Sequence, residues 1–125
     1  MWKTITYVAV GSVIGGVSRF LLQQYIQRKV ESTFPYGTLA VNLLGCFVIG
    51  VVVGLADRGN LMSPQARIFW ATGICGGFTT FSSFISENHN MLLDGELLNT
   101  FVYITISIIA GLTATALGLL LIKSL

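Results

Sequence analysis

The sequence has 125 residues, of which 54% are hydrophobic and only 10% charged, and its formal net charge is +2. A soluble domain carries about a quarter charged residues, so this composition excludes a soluble globular protein and predicts an integral membrane protein. The length allows one domain, and the small net charge argues against a nucleic-acid-binding protein. The sequence contains no nucleotide-binding or hydrolase motif, so we predict that the protein is not an enzyme.

Counting about 20 mainly apolar residues for each crossing predicts four membrane-spanning helices in a single domain, 1–125. The predicted spans are about 4–22, 37–55, 67–93 and 97–122. Residues 23–29 are predicted to carry the first span into a polar loop, 57–60 to close the second, and 94–96 to form a short turn.

Glycines recur at helical spacing in the first two spans. Gly11 and Gly15 form a G-x-x-x-G pattern, and so do Gly50 and Gly54. Such pairs let helices approach closely, so helix–helix packing is the favoured interpretation.

Two spans carry a polar stripe within otherwise aliphatic sequence. Asn42 shares a face of the second span with Thr38, and Tyr103 begins a stripe of small and polar residues in the fourth. Polar groups inside a span either bond neighbouring helices or serve function. For Asn42 and Tyr103 both interpretations stay open.

Residues 73–84, GICGGFTTFSSF, differ from the aliphatic sequence around them. Gly76 and Gly77 are poor helix formers, so the third span is predicted to break at this pair. Irregular backbone at membrane depth requires protein or a water-filled path to satisfy its polar groups. The segment therefore indicates a conduction or binding element.

The remaining reactive side chains give little sign of catalysis or metal binding. Cys46 and Cys75 lie in apolar runs without a C-x-x-C spacing, which favours inert buried thiols. His89 is not part of a metal-ligand cluster and is predicted to be solvated or capping. Glu87 marks either a proton relay or a water-filled vestibule, of which the vestibule is favoured. Arg19 either reaches the membrane interface or gathers anions at a pore entrance.

Lysine and arginine give only a weak bias of orientation. With a cytoplasmic N-terminus, the inside would hold Lys3, Arg58, Arg67 and Lys123, and the other side Arg19, Arg28 and Lys29. An even distribution permits insertion in both orientations. Four helices leave little room for a pore, so we predict an antiparallel, dual-topology homodimer.

Phe81 and Phe84 stand three residues apart and share a helix face. Aromatic ring edges are positive, and the amide of Asn42 supplies a hydrogen-bond donor, so these groups suit a small anion. No lysine or arginine lies in the middle of the third span to trap the ion. Conduction needs such weak, releasable binding.

Stretches 11–19, 37–45 and 73–84 resemble the signature stretches of the Fluc (CrcB-type) bacterial fluoride channels, and the resemblance covers the whole chain. It implies an all-α membrane protein with four transmembrane helices per subunit, the third of them broken. It also implies an antiparallel, dual-topology homodimer in the bacterial inner membrane, with two fluoride pores and a central structural Na⁺. Its partners would be fluoride, the lipid bilayer and a second copy of the chain, and not nucleic acid.

The resemblance also implies roles for individual positions. Those of the fluoride pore would be Phe81, Phe84, Asn42, Tyr103, Ser107, Ser82, Ser83 and Thr115. The backbone carbonyls of Gly76 and Thr79 from both subunits would hold the Na⁺. Gly111 stands where some relatives carry serine, so a hydroxyl there is not essential.

The function expected is passive export of F⁻ from the cytoplasm, which reduces fluoride toxicity. The alternative is a small multidrug-type dual-topology exporter, which needs a carboxylate in the first span, and residues 4–22 contain none. A non-transporting membrane assembly factor would explain the glycines but would leave residues 73–84 without a purpose.

Overall fold

The computed structural model describes residues 1–59 and 61–125, and the described residues form helices and short connections. The predicted turn 57–60 includes Asn60, which lies outside the described residues. The elements are α1 (Trp2–Val30), α2 (Tyr36–Asp57), α3 (Pro64–Arg67), a π-helical segment (Ile68–Cys75), α4 (Gly76–Phe78), α5 (Phe81–Leu93) and α6 (Leu97–Lys123).

The described residues contain four stretches that are long and apolar enough to cross a membrane, as predicted. They are Trp2–Val30, Tyr36–Asp57, Pro64–Leu93 and Leu97–Lys123. From 11% to 28% of the residues in their most apolar windows are buried, so most residues of these windows are at least partly exposed. That distribution suits helices that contact lipid or another subunit.

Helix α1 continues through residues 23–29, so the predicted polar loop was wrong. Glutamine, arginine and lysine are good helix formers, and here they also bond along the helix. Arg28 donates a 3.3 Å hydrogen bond to Gln24, four residues earlier. Gln27 accepts a 3.0 Å bond from the Gly37 amide and donates to the Phe34 carbonyl, also at 3.0 Å. The end of α1 is therefore tied to the start of α2.

Helix α1 packs against the third span through glycines. A Cβ built on Gly11 would lie 2.7 Å from the Phe69 carbonyl oxygen and 2.8 Å from the Gly73 Cα. A Cβ on Gly77 would lie 2.6 Å from the Ser12 carbonyl oxygen. No side chain fits at such distances, so these glycines set the close approach of the two backbones.

Helices α2 and α6 meet in the same way. A Cβ on Gly118 would stand 2.9 Å from the Val51 amide, and one on Gly54 would stand 2.9 Å from Ile122 Cβ. The Thr115 hydroxyl crosses the interface and donates a 2.9 Å hydrogen bond to the Cys46 carbonyl. Close contact with backbone atoms at Gly11, Gly15 and Gly50, and with the Ile122 side chain at Gly54, confirms the packing role predicted for these glycines.

Candidate functional site

The third span breaks at Thr79 and Thr80, three residues beyond the predicted position. Gly76 is helical (φ −61°, ψ −37°), and α4 runs from Gly76 to Phe78. Thr79 (φ −95°, ψ 158°) and Thr80 (φ −147°, ψ 114°) are extended. The glycine pair serves a different purpose, because Gly77 packs against α1. The extended conformation falls on threonines, whose β-branched side chains favour it.

Asn42 of α2 holds the break with both ends of its amide. The Thr80 N–H donates to Asn42 Oδ1 at 2.8 Å, and Asn42 Nδ2 donates to the Thr80 carbonyl at 3.1 Å. The Thr80 hydroxyl then caps α5 by accepting from the Ser83 N–H at 3.2 Å. Asn42 therefore has a structural role, and its NH₂ group keeps a second hydrogen for another acceptor.

The break also changes the partners of the backbone carbonyls before it. In a continuous helix the Thr80 N–H would bond the Gly76 carbonyl, but here it bonds Asn42. The Gly77 carbonyl accepts a 3.1 Å bond from Arg19 Nε. Arg19 is half-buried, and this bond ties its guanidinium to the broken span.

A cavity of about 450 Å³ lies between α2, the third span and α6. Its lining includes six of the predicted site residues, namely Asn42, Gly76, Thr79, Phe81, Phe84 and Ser107. The rest of the lining is Gly45, Cys46, Ile49, Ala71, Cys75, Thr80 and Ile108. Few of these groups are polar, and none is charged.

Aromatic rings extend from the cavity into the protein. The Phe81 side chain is 73% exposed, and its ring centroid lies 5.8 Å from that of Phe84. Phe84 meets the fully buried Tyr103 edge-on at 5.0 Å, and Phe34 meets Tyr103 at 5.4 Å. Phe34 precedes the second span and joins this row of rings through folding.

Glu87 accepts hydrogen bonds from two other elements. The Thr38 hydroxyl donates to one carboxylate oxygen at 2.7 Å, and the Tyr103 hydroxyl donates to the other at 3.2 Å. Gln23 Nε2 donates to the Thr38 hydroxyl at 2.8 Å, and Arg19 Nη1 donates to Gln23 Oε1 at 3.4 Å. A continuous hydrogen-bonded chain thus joins the two residues that the sequence named separately, Arg19 and Glu87.

Sequence reasoning missed Gln23, and it noted Thr38 only as a neighbour of Asn42. Gln23 could have been found from its position one helical turn after Arg19. Its link to Thr38 depends on how α1 meets α2, which no local pattern reveals.

Four predicted pore residues lie outside the cavity lining. Ser82 is exposed, with its oxygen 3.5 Å from the Thr80 hydroxyl. Ser83 accepts a 3.0 Å bond from the same hydroxyl. Thr115 bonds α2 across the α2–α6 interface. Tyr103 also lies outside the lining, behind Phe84.

The chain was compared with known protein families. Residues 6–119 match the family model described as CrcB-like protein, Camphor Resistance (CrcB). The chain belongs to the CrcB family. The match begins within α1 and ends within α6, so the family resemblance predicted from the sequence is confirmed over all four spans.

Similar CrcB proteins are named fluoride-specific ion channel FluC. The protein of Flavobacterium psychrophilum is 43% identical over 123 residues, which cover 98% of this chain and 99% of that protein. The protein of Azobacteroides pseudotrichonymphae is 46% identical over 121 residues, covering 97% of each chain. The protein of Leptospira interrogans is 40% identical over 122 residues, covering 98% and 96%.

Side-chain clusters for metal binding are absent from residues 1–59 and 61–125, where no three His, Cys, Asp or Glu side chains come together suitably.

Proposed function

We propose that this protein is a fluoride-specific ion channel, through which F⁻ leaves the bacterial cytoplasm passively across the inner membrane. The observation that carries the proposal is the pairing of Asn42 with Thr80, which holds the third span broken beside the cavity. Phe81 and Phe84 follow directly on α5 and line that cavity. The similarity to proteins named fluoride-specific ion channels, over nearly the whole chain, supports the same function.

The cavity offers uncharged groups that can replace the water around a small anion. The rings of Phe81 and Phe84 have positive edges, and Asn42 retains one N–H after bonding the Thr80 carbonyl. The Ser107 hydroxyl supplies a further donor in the lining. Such groups bind fluoride firmly enough to strip its water and weakly enough to release it. Tyr103, Ser82, Ser83 and Thr115 would support this route from behind the lining or extend it.

Fluoride export is tested by reconstituting the full chain into liposomes that contain fluoride or chloride. The channel should release fluoride down its gradient without ATP or a proton gradient and should retain chloride. Protein-free liposomes give the leak rate. Absence of fluoride release above that leak would contradict the proposal. Efflux driven only by a proton gradient would instead support the small multidrug-type exporter.

The functional unit in this proposal is an antiparallel homodimer. The cavity lies on the outside of the single chain, and the large Phe81 ring beside it is 73% exposed. Burial of such a ring against a partner is favourable, and a second copy with opposite orientation would cover it. Each dimer would then contain two equivalent pores.

The proposed Na⁺ site uses the carbonyls of Gly76 and Thr79. The Thr80 N–H, which would bond the Gly76 carbonyl in a continuous helix, bonds Asn42 instead. Gly76 and Thr79 both line the cavity. Oxygen atoms are the ligands that hard cations prefer, and two copies of the chain would supply four. When bound, the ion would supply positive charge that stabilises the carbonyl oxygens at the break. Replacing sodium by a bulky organic cation throughout purification should abolish fluoride efflux, whereas undiminished efflux would exclude the site.

Glu87 belongs to a vestibule in this proposal. Its carboxylate is half-buried and accepts from Thr38 and Tyr103, and the chain through Gln23 leads to Arg19. These polar groups can hold water at an end of the pore. The positive guanidinium stands at the far end of the same hydrogen-bonded chain.

A further inference from the structure

Cys46 of α2 and Cys75 of the third span both line the cavity. Asn42 bonds Thr80, and a Cβ on Gly45 would meet the Thr79 side chain, so residue numbers rise on α2 as they fall on the third span. One turn beyond Asn42 and about one turn before Thr80, this register reaches Cys46 and Cys75. Both residues line the same cavity.

Both cysteines are free, and their backbones are held in place. The Cys75 carbonyl accepts from the Thr79 N–H at 3.0 Å and from the Thr79 hydroxyl at 2.9 Å. The Cys46 carbonyl accepts from the Thr115 hydroxyl at 2.9 Å. Gly111 faces the Cys46 sulfur without a side chain, since a Cβ built there would stand 3.5 Å away. The backbone carbonyls of both cysteines are therefore held by hydrogen bonds beside the cavity.

The surroundings of these thiols select the kind of ion that they can bind. Thiolates prefer soft metal ions, and Cu⁺ and Ag⁺ can be coordinated by two sulfur ligands in linear geometry. Tetrahedral zinc would require further ligands, and no group of three His, Cys, Asp or Glu occurs in the described parts of the chain. The rest of the lining is apolar or neutral.

We propose that Cys46 and Cys75 form a two-thiol site for a soft monovalent cation of the Cu⁺ and Ag⁺ class, and that its occupancy blocks the anion path. In the binding step two S–H bonds lose their protons and two metal–sulfur bonds form, so that two thiols and M⁺ give a bis-thiolate of charge −1 and two H⁺. No oxidation or reduction occurs. The complex places negative charge beside Asn42 and Phe81, where it repels an incoming anion.

Binding is measured on the full-length protein in detergent with silver nitrate in chloride-free buffer, by calorimetry and native mass spectrometry. We expect one Ag⁺ per chain and release of protons to the buffer. Cys46→Ala and Cys75→Ala should each weaken binding by about 100-fold, because joining two ligands in one site raises affinity by that order. A single variant that binds as tightly as the parent would overturn the two-thiol site.

The block is measured as fluoride efflux with silver divided by efflux without it, separately for each variant. This part rests on the proposed channel function, whereas the binding experiment does not. The parent should be blocked at the silver concentration that saturates binding, and the double variant, which has no cysteine left, should resist. Met91→Leu is the control, because it removes a buried sulfur outside the cavity, and its sensitivity should equal the parent's.

The two experiments separate the possible failures. Silver binding without any fluoride efflux from the parent would contradict the channel function and leave the metal site in place. Efflux from the parent that silver does not change at saturation would overturn the block. Equal block of the parent and the double variant would do the same.

Discussion

At the scale of single residues, Asn42 connects the structure to the proposed chemistry. Its amide bonds both backbone groups of Thr80 and so fixes the start of α5, which carries Phe81 and Phe84. Its remaining N–H can donate to an anion. In the proposed channel, this one side chain would hold the pore geometry and supply part of the pore lining.

The first prediction concerns the ring edges. Phe81→Ile keeps a large apolar side chain but removes the positive edge, so fluoride efflux should fall by 100-fold or more, by an order-of-magnitude expectation for a lost ion contact. Phe101→Ile is the matched control, because that ring is 69% exposed on α6 and lies outside the cavity lining. Liposome efflux should be unchanged in the control. Equal efflux from both variants would show that the pore does not use Phe81.

The second prediction concerns Asn42→Asp. A carboxylate would face the Thr80 carbonyl, which now accepts from Asn42 Nδ2, and it would place negative charge in the anion path. Fluoride efflux should be abolished, and stability should fall by about 1–3 kcal/mol from the lost hydrogen bond. Efflux and thermal unfolding in detergent measure the two effects. The exposed Asn99→Asp is the control and should keep efflux, whereas parental efflux in Asn42→Asp would refute the role of the amide.

At the scale of elements, glycine contacts set how the helices approach one another. The α1 contact with the third span passes through Gly11, Gly15, Gly73 and Gly77. The Arg19 bond to the Gly77 carbonyl lies on the same interface. The break is therefore supported from α1 on one side and from Asn42 of α2 on the other.

The third prediction compares two alanine substitutions in α1. A Cβ on Gly11 would meet backbone atoms at 2.7 and 2.8 Å, whereas the nearest atom to a Cβ on Gly16 is the Gly77 carbonyl oxygen at 4.0 Å. Gly11→Ala should destabilise the protein by about 1–3 kcal/mol, as overpacking does. Gly16→Ala should be neutral or stabilising by up to about 1 kcal/mol, because alanine favours helix. Thermal unfolding in detergent distinguishes them, and equal melting temperatures would contradict the close-packed interface.

At the scale of the whole molecule, the single chain exposes an open cavity and many large apolar side chains. Neighbouring molecules are needed to cover both. Lipid covers part of that surface, and in the proposed dimer a second copy covers the cavity side. Opposite orientations of two copies would let one sequence supply both halves of each pore.

The fourth prediction tests this arrangement through topology. The seven lysine and arginine residues give little orientation bias, so adding two or three lysines to one loop should force a single orientation. That variant should be inactive alone and regain fluoride efflux when it is co-expressed with a variant forced the other way. Full activity of one variant with a proven single orientation would exclude the antiparallel dimer.

The sequence alone was sufficient to predict four spans, the close-packed glycines and the unusual segment 73–84. These follow from hydropathy and helical spacing, which act over one or two turns. The break was placed within a few residues of its position, because glycine propensity is a weak local signal.

Only the tertiary structure decided where the third span breaks and which polar groups meet. Asn42 lies 38 residues from Thr80, and Arg19 lies 58 residues from Gly77. Glycine propensity pointed to Gly76 and Gly77, whereas the hydrogen bonds from Asn42 stabilise the break at Thr80. The hydrogen bonds of Glu87 with Thr38 and Tyr103 likewise join residues of different helices. Contacts of this kind depend on how the helices pack together. Spacing along the chain therefore identified candidate residues but did not predict which of them are in contact.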